Sequence, residues 1–452
     1  YEVHLGSWRR DADDPGRQLP WAQLAEPLAD HALSLGFTHV ELLPVTAHPY
    51  PGSWGYLSTG YFAPDPRHGT PDELRALIDH LHGRGLGVIL DWVPGHFSAD
   101  DWALADFDGG PTYEHEDPGR ADQPEWGARV FDHSKPQVRS FLLSSARYWL
   151  SEFHADGLRI DAVAAMLRHD WGRDPVAVLP NEDGSLEKHE SIALLKELNV
   201  MVRSEAPGAV TIAEEATGWP GVTNADGLDF TFAWNMGWAN DWLSYLEKAP
   251  AERSTIHNDI TFASSYADAE DWVLVLSHDD AAGSSLVERI WGDDEQARAQ
   301  LRALIAMQWA HRGKKLLFMG GEFAQRSAWS HHGQLDWQAA DPETQQFVAE
   351  VGRVYRQQSA LWARDGEDAG MTWLLADERE TSTYAWERHG ADGALLVCAA
   401  NLSDVARTVE LDVQGELRIA LETGQGSARI EHLGAAVHVE LPAFSCVWLV
   451  PT

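Results

Sequence analysis

The sequence predicts an α/β fold: a (β/α)8 TIM barrel with long insertions in its βα-loops, followed by a C-terminal antiparallel β-sandwich. Two observations predict the barrel. Eight short apolar runs of strand length alternate with helical patterns up to about residue 361, and acidic side chains repeatedly follow these runs. A third observation predicts the sandwich, because beyond residue 362 the pattern changes to short alternating runs separated by Gly and Asp.

Eight is the number of strands that closes such a barrel. Between the strand candidates lie helical stretches such as the one from Pro71 to Gly85, with Pro and acidic residues at its start and Gly at its end. We therefore expect two domains, residues 1–361 and 362–452. The strand candidates are centred on Val3, Val40, Ile89, Leu158, Ile212, Phe232, Val275 and Leu317.

Two connections are too long to be simple loops. Residues from about 95 to 136, after strand three, are rich in Asp, Gly, Pro and aromatic side chains, and a second excursion runs from His169 to Glu190 after strand four. Insertions at that face of a barrel usually shape a binding cleft, so we expect the substrate there.

Composition narrows the choice of partners. The 452 residues carry a formal net charge of −36, which disfavours nucleic acid and anionic membrane surfaces and favours a neutral substrate. No apolar run approaches the roughly 18 residues of a membrane span, and no export signal opens the chain. Cys398 and Cys446 lie in apolar segments, which predicts two buried thiols of a cytoplasmic protein, with a disulfide as the alternative. We expect a monomer.

Four carboxylates, Asp91, Asp161, Glu214 and Asp279, follow strand-like runs. An unpaired charge inside a buried strand is costly, so these acids predict a polar cleft at one end of the barrel. Cleavage of a glycosidic bond with retention requires a nucleophilic carboxylate and a carboxylic acid about 5 to 5.5 Å apart, which neighbouring strand ends can supply. We predict Asp161 as the nucleophile and Glu214 as the acid/base.

Arg159 precedes Asp161 by two residues, so both side chains point to the same face of an extended strand. A guanidinium there keeps Asp161 ionised; the alternative is a plain buried ion pair. Glu214 has a rival in Glu215, which points to the opposite face if the strand continues. His96 suits sugar-hydroxyl recognition or, alternatively, a structural role.

Asp279 follows His278 at the end of strand seven and is placed to stabilise an oxocarbenium-like transition state. The alternative is a helix N-cap formed by Asp279 or Asp280. For His278, as for His96, the alternative to binding sugar hydroxyls is a structural role.

Ordered motifs along nearly the whole chain resemble those of the α-amylase superfamily, and more narrowly those of the glycogen (1,4-α-glucan) branching enzymes. The motifs are YEVHLGSW at Tyr1–Trp8, GSWGY at Gly52–Tyr56, DWVPGHF at Asp91–Phe97, DGLRIDAVAAML at Asp156–Leu167, AEEATGWPGVT at Ala213–Thr223, WNMGW at Trp234–Trp238, LSHDD at Leu276–Asp280 and KKLLFMGGEFAQ at Lys314–Gln325.

The resemblance implies cleavage of an α-1,4 bond in a linear α-glucan or glycogen, and transfer of the chain to a glucose 6-hydroxyl as an α-1,6 branch. It implies Asp161 as nucleophile, Glu214 as acid/base and Asp279 as transition-state stabiliser. It adds a set of residues that form the walls of the subsite for the cleaved glucose: Tyr56, Asp91, His96, Arg159 and His278.

Aromatic residues in the long loops are candidate stacking platforms for the acceptor chain, with a core position as the alternative: Trp54, Trp92, Trp102, Trp126, Trp219 and Trp238. No cofactor is expected. In the superfamily an Asn that helps to hold calcium commonly stands where this chain has Gly95, so we predict no metal there.

Two segments depart from the branching-enzyme pattern. The run from Asp280 to Ser285 lacks the usual His and Lys, and Asn181–Ser191 replaces a familiar segment after strand four. An α-glucan hydrolase or a 4-α-glucanotransferase is therefore the first alternative. A glucan-binding scaffold without turnover is the second.

Overall fold

The computed structural model describes residues 1–174, 178–262, 266–424, 428–433 and 436–452. The chain divides into two compact units. Unit 1 comprises Tyr1–His31, Thr38–Trp234 and His331–Gln334, and unit 2 comprises Ala32–Phe37, Asn235–Ser330 and Leu335–Thr452. The predicted domain boundary between residues 361 and 362 stays a prediction.

Unit 1 is built on a parallel sheet whose strands lie side by side in chain order. The strands are short because each contributes only a few buried residues before its loop begins, as in a barrel wall. They are β1 (Glu2–Val3), β2 (His39–Leu42), β3 (Gly87–Trp92), β4 (Gly157–Ile160), β5 (Val210–Ala213) and β6 (Phe232–Asn235), which ends at the unit boundary.

The helix predicted from Pro71 is present and spans Pro71–Gly83. Thr70 and Glu73 form a capping box at its start, with the Glu73 side chain accepting from the Thr70 N–H at 2.7 Å. A stripe of buried Leu and Ile side chains faces the sheet. The other helices that begin before β6 are Leu5–Trp8, Trp21–Ser34, Pro118–Ala121, Pro136–Glu152, Val163–Leu167 and His189–Glu205.

The insertion at about 95–136 contains a small antiparallel sheet rather than loop alone. Its strands are His96–Ser98, Ala128–Val130 and Asp122–Gln123, in that spatial order. His96 pairs with Val130, so the sheet fixes the position of this predicted site residue. A second hairpin, of Thr46–Ala47 and Gly60–Pro64, flanks the loop that carries Tyr56.

Unit 2 contains the last two parallel strands, β7 (Trp272–Leu276) and β8 (Lys314–Leu317), which pair with each other. All eight predicted strand centres therefore fall within strands. The helix Asp294–Ala310 joins β7 to β8 and is buried along most of its length, with a capping box of Asp293 and Gln296 at its start. The other helices are Met236–Glu247, His257–Phe262, His278–Ala282, Leu286–Arg289 and Pro342–Gln357.

The C-terminal strands of unit 2 form two antiparallel sheets. One has the order Met371–Leu375, Thr383–His389, Leu395–Asn401, Ser445–Pro451, Leu417–Glu422, and the other has the order Arg407–Leu411, Ala436–Leu441, Arg429–Leu433. Apolar residues of both sheets, such as Val397 and Val439, share one buried cluster. The two sheets thus pack as a sandwich, as predicted.

Cys398 and Cys446 are buried free thiols on adjacent strands of this sandwich, with their sulfur atoms 3.4 Å apart. None of the helices in the described parts of the chain combines the length and apolar character that a bilayer crossing requires.

Candidate active site

The centre of the candidate site is a pair of facing residues on adjacent parallel strands. Asp91 on β3 lies directly opposite Arg159 on β4. Both side chains are buried, and Arg159 is only 1% exposed. The sequence prediction placed Asp91 at the end of its strand; it lies inside β3, one residue before the end, where the cross-strand guanidinium compensates its charge.

Arg159 joins three carboxylates. Its Nη1 donates to both oxygens of Asp91 and to Oδ1 of Asp161, each at 2.9 Å. Its Nη2 lies 2.9 Å from Oε2 of Glu214. Asp161 and Glu214 directly follow β4 and β5, so the parallel register delivers both acids to the two ends of one guanidinium.

Aromatic rings hold the guanidinium in place. The Cζ atom of Arg159 lies 4.3 Å from the ring centre of Trp234 and 5.7 Å from that of Tyr56. The Tyr56 hydroxyl donates to Oδ2 of Asp91 at 2.6 Å. Burial raises the pKa of Tyr56 well above 10, so this phenol remains a neutral donor. Trp234 was not predicted as a site residue. The sequence signal for it was its position near the end of β6, the next strand after those that precede Asp161 and Glu214.

One guanidinium compensates only part of the charge of the buried Asp91 and Asp161 and the half-buried Glu214. Burial raises the pKa of Asp161, as do Glu214 and Asp91, while Arg159 acts in the opposite direction. Arg159 therefore lowers the pKa of Asp161, as predicted, but burial and the two neighbouring acids raise it by more. The pKa of Asp161 therefore lies well above the usual carboxyl range.

The two neighbouring glutamates have different roles. Oε2 of Glu214 accepts the backbone N–H of Ala162 at 2.7 Å in addition to its contact with Arg159. The Glu215 carboxylate instead accepts from the backbone N–H groups of Thr217 and Trp219, and so stabilises its own loop. Glu214 is thus the one of the two glutamates that contacts Arg159, and its role as acid/base stays a prediction.

His96 lies close to Asp161. Its Nδ1 is 3.9 Å from Oδ2 of Asp161, and its ring packs on Trp126 with the ring centres 4.9 Å apart. Burial lowers the pKa of His96 to about 4, so the imidazole is neutral at pH 7 and its ring nitrogens suit hydroxyl recognition.

His278 and Asp279 belong to unit 2, in the first turn of the helix His278–Ala282. Ser277 occupies the N-cap position, and Oδ2 of Asp280 accepts the Ser277 backbone N–H at 2.9 Å. Asp280 therefore takes the capping role that was the alternative for Asp279. The Asp279 side chain is 51% exposed and His278 is buried.

A second pair of buried acids, Glu2 and Glu41, was not predicted. They face each other across β1 and β2 and are 1% and 4% exposed. Burial raises the pKa of Glu41 to about 8, with Glu2 and Asp91 adding to the shift. Two glutamates at matching positions of consecutive apolar strands were the missed sequence signal.

The candidate stacking residues divide into two groups. Trp92 and Trp238 are 2% and 0% exposed and belong to the core, so they are unavailable for stacking. Trp54, Trp126 and Trp219 are half-buried, and Trp102 is 65% exposed. Across the described residues, no group of three or more His, Cys, Asp or Glu side chains is arranged to hold a metal ion.

The family model for the alpha-amylase catalytic domain matches residues 30–112 and 128–410. The chain belongs to the alpha-amylase family. The match includes Asp91, Arg159, Asp161 and Glu214, the residues that the parallel sheet brings together.

Relatives of this alpha-amylase family chain include enzymes named 1,4-alpha-glucan branching enzyme GlgB. The one from Nocardia farcinica is 47% identical over 457 residues, which cover 98% of this chain and 60% of the relative. The one from Mycobacterium bovis is 45% identical over 481 residues, which cover 100% of this chain and 65% of the relative. The chain thus spans less than two thirds of the length of these curated relatives.

Solved structures confirm the fold class. An alpha-amylase from Geobacillus thermoleovorans, complexed with acarbose, superposes with a TM-score of 0.75 at 17% identity, covering 100% of this chain and 97% of that one. An Anoxybacillus alpha-amylase gives a TM-score of 0.76 at 17% identity, with coverage of 100% and 97%. The (β/α)8 barrel prediction, with a C-terminal antiparallel β-sandwich, is correct.

Proposed function

We propose that the chain is a 1,4-α-glucan branching transferase that works by a retaining double displacement. The observation that carries this proposal is Arg159, whose two terminal nitrogens contact Asp161 and Glu214. A retaining enzyme needs two closely spaced carboxyl groups, about 5 to 5.5 Å apart, whereas an inverting enzyme leaves room for water between acids about 6.5 to 9.5 Å apart.

In the first displacement a carboxylate oxygen of Asp161 attacks the anomeric carbon of an α-1,4 bond. Glu214 donates its proton to the departing O4, so the donor chain remains on Asp161 as a glycosyl ester. Burial, Glu214 and Asp91 raise the pKa of Asp161, and Arg159 opposes this shift. The contact with Arg159 therefore favours the ionised Asp161 that the attack requires.

In the second displacement Glu214, now ionised, accepts the proton of a glucose 6-hydroxyl. The hydroxyl oxygen attacks the anomeric carbon, the ester bond to Asp161 breaks, and an α-1,6 branch forms. The Ala162 N–H and Arg159 hold Glu214 in one position through both steps.

The remaining predicted site residues orient the sugar. Tyr56 and Asp91 form a hydrogen-bonded wall on one side of Arg159, and the neutral His96 offers ring nitrogens to hydroxyls beside Asp161. We assign His278 to hydroxyl binding and Asp279 to stabilisation of the oxocarbenium-like transition state. The GlgB relatives support transfer to O6 rather than hydrolysis. The cytoplasmic location, the monomeric state and the lack of a calcium ion at Gly95 stay predictions.

One observation favours a second candidate function, an α-glucan hydrolase or 4-α-glucanotransferase. The segment that departs from the branching-enzyme pattern is folded into local caps: Asp280 caps one short helix, and Ser285 caps the next by accepting the Glu288 N–H at 3.1 Å. Side chains that form these caps do not hold an acceptor chain. If acceptor binding depends on this loop, water or a glucose 4-hydroxyl competes more effectively with the 6-hydroxyl for the glycosyl ester.

Product analysis separates these candidates. The protein is incubated with amylose, and reducing ends are counted before and after treatment with a debranching enzyme. Transfer to O6 produces new ends only after debranching. Immediate release of ends identifies a hydrolase, and redistribution of chain lengths with neither change identifies a 4-α-glucanotransferase.

A further inference from the structure

The insertion after β3 carries an exposed aromatic side chain on a short closed loop, residues 106–114. Phe107 is 60% exposed, and its ring contacts that of Tyr113 edge to face, with the ring centres 5.6 Å apart. We call Phe107 and Tyr113 the aromatic pair. Single exposed apolar side chains are common on protein surfaces, so it is the surroundings of this pair that point to a ligand.

The loop holds the aromatic pair in a fixed position. Glu114 is buried, and its carboxylate accepts the backbone N–H of Asp106 at 2.7 Å and that of Tyr113 at 3.1 Å. Nζ of Lys135 donates to the carbonyl oxygens of Pro111 at 2.6 Å and Glu114 at 2.7 Å. Because these contacts already order the loop, binding of a ligand there costs little further conformational entropy.

The two members of the pair offer different chemistry. The Tyr113 ring is anchored by three other rings, with ring centres 5.2, 6.4 and 6.4 Å away: those of Phe141, Phe97 and Phe131. Its hydroxyl has no hydrogen-bond partner among the described residues and is not enclosed. The pair thus combines the exposed ring of Phe107 with a phenol donor. A sugar ring binds such a surface by packing its C–H face on the aromatic ring while a hydroxyl bonds to the donor.

Contacts within unit 1 connect the aromatic pair to the candidate catalytic acids. Phe97, which contacts Tyr113, follows His96 on the strand His96–Ser98. Nδ1 of His96 lies 3.9 Å from Oδ2 of Asp161. Two consecutive residues of one strand therefore join the pair to the site, and a chain that leaves the site on this side of Asp161 meets the exposed ring.

Acidic residues flank the exposed ring. Asp106 and Asp108 lie on either side of Phe107 in the chain, and both are exposed. Together with the net charge of −36, they disfavour an anionic ligand or a second copy of the chain at this place. Carboxylates accept hydrogen bonds from hydroxyl groups. A neutral ligand rich in hydroxyl groups therefore fits best.

We propose that the aromatic pair binds a glucose unit of a linear α-1,4-glucan that extends outward from the candidate catalytic acids. Phe107 packs on the face of the glucose ring, and the Tyr113 hydroxyl donates to one of its oxygen atoms. The contact favours chains long enough to reach both the acids and the pair, so it contributes to the choice of chain length. The identity of the ligand rests on the proposed function.

Calorimetry of the full chain tests this surface without turnover. The parent carries Asp161→Ala, so that the glucan is not cleaved, and maltoheptaose and the β-1,4-linked cellohexaose are titrated separately. Phe107→Ala and Tyr113→Phe are added to this parent. Circular dichroism and the thermal midpoint check that each variant is folded, and Tyr113→Phe keeps the ring and removes only the hydroxyl.

Phe262→Ala is the matched control. Phe262 is 61% exposed, and its ring contacts that of Tyr266 edge to face at 5.7 Å, so the same kind of aromatic pair is changed. Its helix, His257–Phe262, precedes β7, whereas Asp279 follows that strand.

We expect maltoheptaose to bind the parent and the control equally, and cellohexaose to bind more weakly. Phe107→Ala and Tyr113→Phe should each lower the affinity for maltoheptaose about threefold to tenfold, as expected for the loss of one aromatic or hydrogen-bonded contact.

The proposal is overturned if either variant binds maltoheptaose as the parent does, if the parent does not bind it, or if cellohexaose binds equally well. Sedimentation that shows dimers, lost in Phe107→Ala, would assign the ring to a second copy and also overturn it. Transfer to O6 with unchanged binding in the variants keeps the transferase and removes this surface. Immediate release of reducing ends with weakened binding in the variants does the reverse.

Discussion

The backbone N–H of Ala162 donates to Oε2 of Glu214 at 2.7 Å, so the residue after the candidate nucleophile positions the candidate acid. Ala162 adopts a left-handed conformation with φ of 48°, which a non-glycine residue rarely takes. In this conformation the chain turns from β4 into the helix Val163–Leu167, and the Ala162 N–H points toward Glu214, which follows β5.

We predict that Ala162→Val lowers both turnover and stability. A β-branched side chain in this conformation adds strain of about 1–3 kcal/mol, and relief of that strain rotates the N–H away from Glu214. Chain-transfer kinetics on amylose and urea unfolding measure the two effects. Ala162→Gly is the matched control, because glycine accepts the conformation and keeps the N–H; equal activity in all three proteins would show that this contact is unimportant.

Replacement of Arg159 by Gln should destabilise the fold as well as abolish activity. The change leaves Asp91, Asp161 and Glu214 without their shared cation in a buried site, and loss of one partner of such a network costs about 3–5 kcal/mol. Denaturant unfolding at pH 7 gives the value. Arg147→Gln removes an exposed arginine paired with Glu205 and should change stability by less than about 1 kcal/mol. Equal losses in both variants would argue against a buried charge network.

Asp279 and Asp280 should respond differently to substitution. Asp279→Asn removes a half-exposed carboxylate that is not the helix cap, so we expect turnover to fall by about 10²-fold or more with little change in thermal midpoint. Asp280→Ala removes the capping contact with Ser277 and should cost about 0.5–2 kcal/mol of stability. The opposite pattern would reverse the roles assigned to the two acids.

Glu41 should make the chain less stable as pH rises. Its pKa in the fold is about 8 against a reference of 4.5, so the folded state binds more protons than the unfolded state between these values. The free energy of unfolding therefore falls as pH increases from about 4.5 to about 8. Glu41→Gln removes this dependence, because the amide stays neutral, and should be more stable than the wild type at pH 9.

The check is a set of urea titrations from pH 5 to pH 9. The exposed loop residue Glu182 offers a control, Glu182→Gln, which should follow the wild-type curve. Parallel curves for the wild type and Glu41→Gln across the whole range would mean that Glu41 is ionised in the fold.

Strand positions and the main acids could be predicted from sequence because both depend on local patterns. A short apolar run predicts a buried strand, and a carboxylate after it predicts a polar barrel end, as at Asp161 and Glu214. Contacts across the sheet could not be read in the same way. The ring of Trp234 lies against Arg159 because β4 and β6 both pair with β5, an arrangement that no local pattern specifies.

The predicted ionisation of Asp161 shows a similar limit. The spacing of Arg159 and Asp161 gave the right contact, but the balance between attraction and desolvation depends on burial in the folded chain. Trp92 and Trp238 were candidates for stacking because the sequence does not tell whether an aromatic side chain near a motif faces the cleft or the core. Both side chains are buried in the core.

Covalent trapping tests the central claim most directly. The variant Glu214→Gln is treated with 5-fluoro-α-glucosyl fluoride, whose good leaving group allows an ester to form while the ring fluorine slows its breakdown. Peptide mass spectrometry then locates the label. The account predicts one fluoroglucosyl group on Asp161; a label on Asp91 or Glu215, or product of inverted configuration without a label, would contradict it.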